Sequence, residues 1–186
     1  MANRNIISAE VTGPVYWSAV IGGIFVALVV HILLNMLGAG IGAASLDIRA
    51  PTQGEVQGIG WGAFAWWSVA GIVAAFAGGW AAGVLASAIG SKDGSLHGFL
   101  SWAVTTVLVI AGAALAAGTA AATIGALFTP LSTSMARLQA TPEVAQTTIT
   151  AFSLASVVAL VIGAVAATWG GRLGATRTTG TKAARK

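Results

Sequence analysis

The chain of 186 residues has no cysteine, one tyrosine, four prolines and only 8% charged residues. Lacking cysteine, it has no disulfide, no thiolate metal site and no thiol nucleophile, and its redox compartment is left unmarked. The shortage of charge is more telling. Soluble domains carry roughly a quarter charged residues, so an ordinary water-soluble fold is excluded. The four long apolar runs contain no Asp, Glu, Lys or Arg between their ends, and no H-E-x-x-H, G-x-S-x-G or P-loop occurs. Hydrolysis, phosphoryl transfer and charge-coupled transport normally need at least one such group. The chain therefore reads as a non-enzyme. Gly38-Ala39-Gly40-Ile41-Gly42 and Gly58-Ile59-Gly60-Trp61-Gly62 have the glycine spacing of nucleotide loops. Neither follows a strand, so no cofactor is expected.

What is present is apolar surface and glycine: 56% hydrophobic residues and 25 glycines. The glycines lie along apolar segments instead of in a linker, as is common in membrane helices. Each apolar run exceeds the ~20 residues that cross a bilayer. The expected fold is all-α and polytopic, with four transmembrane helices packed by small-residue (Gly/Ala) faces. The spans are 14–39, 56–89, 96–128 and 142–172, preceded by a polar segment, 1–13, and followed by a basic tail, 173–186, expected to be disordered. A cleaved signal peptide is a weaker reading of the first run, which is longer than the usual h-region of about 7–15 residues.

Helix ends carry their own signals. Pro14 suits a first turn, Thr52 and Glu55 have capping-box spacing, and Ser95 can cap the third helix. Thr141-Pro142-Glu143 combines a cap, a first-turn proline and an acid at the positive end of the dipole.

Four spans put both termini on one side. Arg4, Lys92, Arg172, Arg177, Lys182, Arg185 and Lys186 lie on that side, and only Arg49 and Arg137 on the other. Seven against two makes the terminal side cytoplasmic by the positive-inside rule. The net charge of +4 would suggest nucleic acid in a soluble protein. Here its excess sits in the last fifteen residues and is explained by orientation, so no nucleic-acid partner is expected. The first partner is the lipid bilayer.

The second span divides its faces by size instead of polarity. Val69, Ile72, Val73, Phe76, Trp80 and Val84 fall on one side of a helical wheel. Gly71, Ala74, Ala75, Gly78, Ala82 and Ala86 fall on the other, with Gly79 and Gly83 on its edge. That pattern predicts bulk toward lipid and a bare ridge toward a neighbouring helix. Ala159, Gly163 and Ala167 form a similar face on the fourth span. The third is small on every side between Ala111 and Ala122, which predicts that it is the central helix. A fainter likeness between the G-G-W-A-A-G and G-G-R-L-G-A ends of the second and fourth spans raises a repeat of two hairpins.

Two groups of polar residues stand out. His31, deep in the first span, has Asn35 one turn on; buried polar groups in hydrocarbon default to a functional role such as an ion path. No intramembrane acid or base accompanies them, so hydrogen bonding between helices is the preferred reading. Lys92, Asp93 and His97 lie in the turn between the second and third spans, where a headgroup or metal contact competes with simple turn chemistry. Two potential ligands without a third make a poor metal site, and no metal is expected.

Several stretches resemble a broad family of small bacterial four-span membrane proteins with no assigned activity. The matching pieces are Trp17-Ser-Ala-Val-Ile-Gly-Gly with the downstream Leu-Gly-Ala-Gly-Ile-Gly, the ridge from Trp67 to Gly83, and Asp93-Gly-Ser-Leu-His-Gly with Trp102. The resemblance implies a bacterial inner (cytoplasmic) membrane location and a four-helix form, and it carries no catalytic residue. The leading functional expectation is helix–helix association, as a homo-oligomer or an accessory subunit of a larger membrane complex. The alternative is a passive channel or small-solute pore lined by His31, Asn35, Thr105, Thr106, Thr119 and Thr123. A third reading is lipid or pigment binding along the Trp-rich edge of the second span.

Overall fold

The computed structural model describes residues 15–45, 53–89, 93–116 and 142–183. They form four helices: α1 (Trp17–Ser45), α2 (Gln53–Ile89), α3 (Gly94–Ala116) and α4 (Pro142–Ala183). There is no strand among the described residues. All four helices contain a stretch long and apolar enough to cross a membrane, the shortest being Gly94–Gly112 with 19 residues. The protein is a multi-pass membrane protein. Hydrocarbon offers no water to backbone N–H and C=O groups, so each span satisfies them internally and is helical even where it is rich in glycine, valine and isoleucine.

The boundaries differ from the sequence reading mainly at the ends. α1 starts three residues after Pro14 and runs on to Ser45, and α2 starts at Gln53. α3 begins at Gly94, with Asp93 instead of Ser95 just before it. Residues 117–128, expected in the third span, and the loop after Phe128 lie outside the described residues. α4 does not stop at Arg172 but continues to Ala183. Tertiary contact supports the helix just past Arg172. A β-carbon built at Gly174 would overlap the Trp80 carbonyl oxygen, and the Ala175 β-carbon lies against Gly94.

α2 is the most buried of the four spans; residues 117–122, half of the small stretch that predicts a central third span, lie outside the described residues. α2 and α3 each pack on the other three helices, while α1 and α4 do not touch one another among the described residues. Half of the α2 span is buried, against 22% for α3, whose Val107, Leu108 and Ile110 face outward. The reason is that α2 is bare on two adjacent edges. Along the first, a β-carbon at Gly78 would stand 2.6 Å from the Ala27 β-carbon and 2.7 Å from the Gly23 carbonyl oxygen of α1. Along the second, Gly79 and Gly83 lie against the carbonyls of Ala167 and Gly171 of α4. On the opposite flank Val69, Val73, Phe76 and Trp80 are exposed as expected, whereas Ile72 faces the interior of the bundle and Val84 is half-buried.

α3 enters the same junction. Gly98 also faces the Ala167 carbonyl, and Gly94 also faces that of Gly171. Each of these two α4 carbonyls is thus shared by a glycine of α2 and a glycine of α3. Where a side chain would collide, the glycine hydrogen points at the oxygen, the geometry of a Cα–H···O contact worth about 0.5–1 kcal/mol. Three helices meet backbone to backbone at the end of the bundle that carries the start of α1.

Candidate functional site

Above this glycine junction the four helices separate and leave a cavity of about 320 Å³. Its position along the spans follows from counting. His31, on its wall, is fourteen positions past Trp17, or about 21 Å at ~1.5 Å per residue. In a hydrocarbon core of about 30 Å, that places His31 beyond the midplane.

Every helix contributes to the wall. α1 supplies Ala27 and His31, and α2 supplies Trp67, Ser68, Gly71, Ile72, Ala74 and Ala75. α3 supplies Ser101, Trp102, Thr105, Thr106, Val109 and Ile110, and α4 supplies Ser156, Ala159, Leu160 and Gly163. The spacing on α1 explains how His31 arrives there. Val20, Ile24, Ala27 and His31 recur at three- and four-residue steps and are all buried, while Ile21, Phe25, Val29 and Leu33 are exposed. A small residue at Gly71 leaves room beside the imidazole, since a β-carbon there would meet only His31 Cε1, at 4.0 Å. The His31 and Trp67 rings are 5.9 Å apart between centroids.

Nearer the start of α2, an aromatic cluster outside the cavity wall joins α2 to α4. Trp61 stacks on Phe152 with centroids 4.3 Å apart, and Phe64 meets Phe152 edge-on at 5.1 Å. On the α3 side the wall residue Ile110 is exposed.

The wall is almost wholly apolar in what it presents. Two of its five hydroxyls are turned to their own helices: Thr105 donates to the Ser101 carbonyl at 2.7 Å and Ser156 to the Phe152 carbonyl at 2.7 Å. Three wall residues, however, hold a buried polar atom without a hydrogen-bond partner, namely His31 Nε2, Ser68 Oγ and Ser101 Oγ. An unpaired buried polar group costs about 1–3 kcal/mol.

Of the residues singled out in the sequence, His31, Thr105 and Thr106 come together at this chamber, along with Gly71, Ala75, Ala159 and Gly163 of the packing faces. Asn35 does not line it, and its Nδ2 is likewise buried without a partner. Thr119 and Thr123 lie outside the described residues. Ser68, Trp67, Ser101, Trp102 and Ser156 were not marked as site residues. Ser101 and Thr105 stand one helical turn apart, a polar stripe in an uncharged span, and that spacing was the available signal.

The residues of the turn between the second and third spans form a separate arrangement. His97 is 0% exposed. Its Nε2 accepts the Tyr16 N–H at 3.0 Å, and its Nδ1 is 2.8 Å from the Asp93 carbonyl oxygen. These partners assign the proton to Nδ1, which donates to Asp93, leaving Nε2 as the acceptor. The ring thereby satisfies one of the unpaired N–H groups at the start of α1 and ties it to the start of α3. Both ring nitrogens are engaged with main chain, and no group of three or more potential metal ligands occurs among the described residues. Lys92 lies outside them.

In comparisons with known proteins, no family model, no curated protein and no solved structure matches this chain.

Proposed function

We propose that this is a non-enzymatic integral protein of a bacterial inner membrane, with both termini cytoplasmic, which works by hosting a small molecule between its four helices. The observation that carries the reading is the convergence of His31, Thr105 and Thr106 on one chamber of about 320 Å³ contributed by every helix. Ligand pockets of soluble proteins run about 300–1,000 Å³ and combine apolar walls with a few polar groups. Hosting is preferred to conduction because the glycine junction packs α2, α3 and α4 backbone to backbone at the terminal end. The protein purified in nanodiscs is expected to carry a non-lipid small molecule detectable by native mass spectrometry, and Gly71→Leu, which fills the chamber, is expected to lose it. A wild-type protein that emerges empty and behaves identically to Gly71→Leu removes the reading.

Association is the second reading, as a homo-oligomer or an accessory subunit. It is favoured by Gly40, Gly58, Gly60, Gly62 and Gly112, where a β-carbon would meet nothing within 4 Å among the described residues, which leaves these positions open to a second chain. A monomer mass in nanodiscs together with no partner after mild solubilisation removes it. The absence of cysteine makes the orientation simple to test. An impermeant maleimide applied to intact cells is expected to label Arg49→Cys and to leave Lys186→Cys unlabelled.

A further inference from the structure

The chamber also restricts the chemistry of its guest, and the following rests on the hosting reading above. Its volume of about 320 Å³ is roughly twice that of an engineered apolar cavity that binds benzene, so it has room for two fused rings. Three ring side chains, His31, Trp67 and Trp102, stand on its wall, and aromatic groups prefer offset or edge contacts with flat partners. None of its wall residues is acidic or basic apart from the imidazole of His31, and an unpaired ion at this depth is costly. Charged guests are therefore excluded. One wall residue, His31 (6% exposed), is almost completely buried with an unpartnered polar atom, Nε2, whereas the unpartnered Ser101 Oγ is turned to Gly23 of α1, 2.7 Å from where a β-carbon would stand. A hydrogen-bonding atom on the guest relieves that deficit, whereas a plain hydrocarbon does not.

We propose that the chamber binds a neutral two-ring molecule bearing one hydrogen-bonding oxygen, which enters from the bilayer on the α3 side, where Ile110 is exposed. His31 reads the oxygen and the rings occupy the space beside Gly71. Charge-free walls and lateral access suit a guest dissolved in the membrane, not one arriving from water.

The test uses tritiated 1-naphthol with the full-length protein in nanodiscs, after subtraction of empty nanodiscs. Naphthalene, 2-naphthoate and dodecanol serve as competitors. Saturable binding of one naphthol per chain is expected, at least about tenfold tighter than naphthalene, with no competition from 2-naphthoate or dodecanol. His31→Phe keeps a ring in place and is expected to reduce naphthol to the naphthalene level. Gly71→Leu is expected to abolish binding, and Gly71→Ala, for which the β-carbon has room, serves if the larger variant does not fold. Displacement by dodecanol, or equal affinities for naphthol and naphthalene in wild type and His31→Phe, overturns the proposed guest class and leaves hosting intact. An absence of saturable binding by naphthol, naphthalene and dodecanol alike overturns both.

Discussion

The two halves of the bundle solve opposite packing problems with similar residues. At the terminal end, Gly79 and Gly83 of α2, Gly94 and Gly98 of α3, and Ala167 and Gly171 of α4 bring three backbones into contact. Toward the other end, glycines are just as frequent, but Gly58, Gly60 and Gly62 of α2 have nothing where a β-carbon would stand. There the helices are joined by large side chains, as in the Trp61–Phe152 stack. Apolar side chains gain nothing by leaving lipid for protein, so helices in a membrane cohere through close packing and directed polar contacts. Glycine contributes only where a partner backbone is close enough to use it. The same residue type is therefore structural at one end and leaves space at the other, and the chamber lies between.

The sharpest way to break this contrast is one substitution made at both ends. Gly83→Val would drive a side chain into the Gly171 carbonyl, and backbone cannot yield as a flexible side chain can. Overpacking of this kind costs about 1–3 kcal/mol and occasionally more; with the loss of the shared Cα–H···O contacts, Gly83→Val is expected to lower the melting temperature in detergent strongly or to prevent folding. Gly62→Val, at an open site, is expected to leave it unchanged. Equal effects from the two would remove the distinction between the halves.

A smaller effect is expected from His97→Ala. It leaves the Tyr16 N–H without an acceptor and opens a void at a fully buried position, for about 2–4 kcal/mol from a lost buried bond plus cavity. His97→Asn, which can still accept a hydrogen bond, is expected to recover part of that loss in an SDS or urea unfolding series. If Ala and Asn unfold together, the ring is only filling space.

The smallest effect sharpens the picture of the open half. Trp66 donates its indole N–H to the Leu34 carbonyl at 2.9 Å, and a β-carbon at Gly38 would strike that indole. Gly38 is thus bare so that a side chain, not a backbone, can approach α1. Gly38→Ala is expected to break this bond at a cost of about 1 kcal/mol. Because an indole moves aside more easily than a helix, the change should appear as a shift in tryptophan emission with little loss of melting temperature.

Some of this was legible before any coordinates. The division of α2 by size predicted which residues face outward, and Phe76 and Trp80 are exposed while Gly78 and Ala82 are buried. What the wheel did not separate is that Gly78 and Gly79, adjacent in sequence, serve different partners, α1 and α4. A small face announces that something approaches closely without naming the neighbour. For the third span the second half of its small stretch, 117–122, lies outside the described residues, and the helix seen to use two bare edges is α2. The polar turn at Asp93 and His97 was visible as a turn, whereas its tie to Tyr16 spans 81 positions and leaves no local pattern.

By itself the sequence determined the environment of this protein, the number of its helices and their outward faces. Those follow from residue-by-residue transfer between water and hydrocarbon and from the need of each span to satisfy its own backbone. Only the tertiary structure decided which glycines are in contact and which are idle, how far α4 extends beyond Arg172, and that His31, Ser68 and Ser101 share one cavity. A chamber is the place where four faces fail to meet. It depends on how far apart rigid helices are held, a distance that belongs to the assembled bundle and not to any one segment.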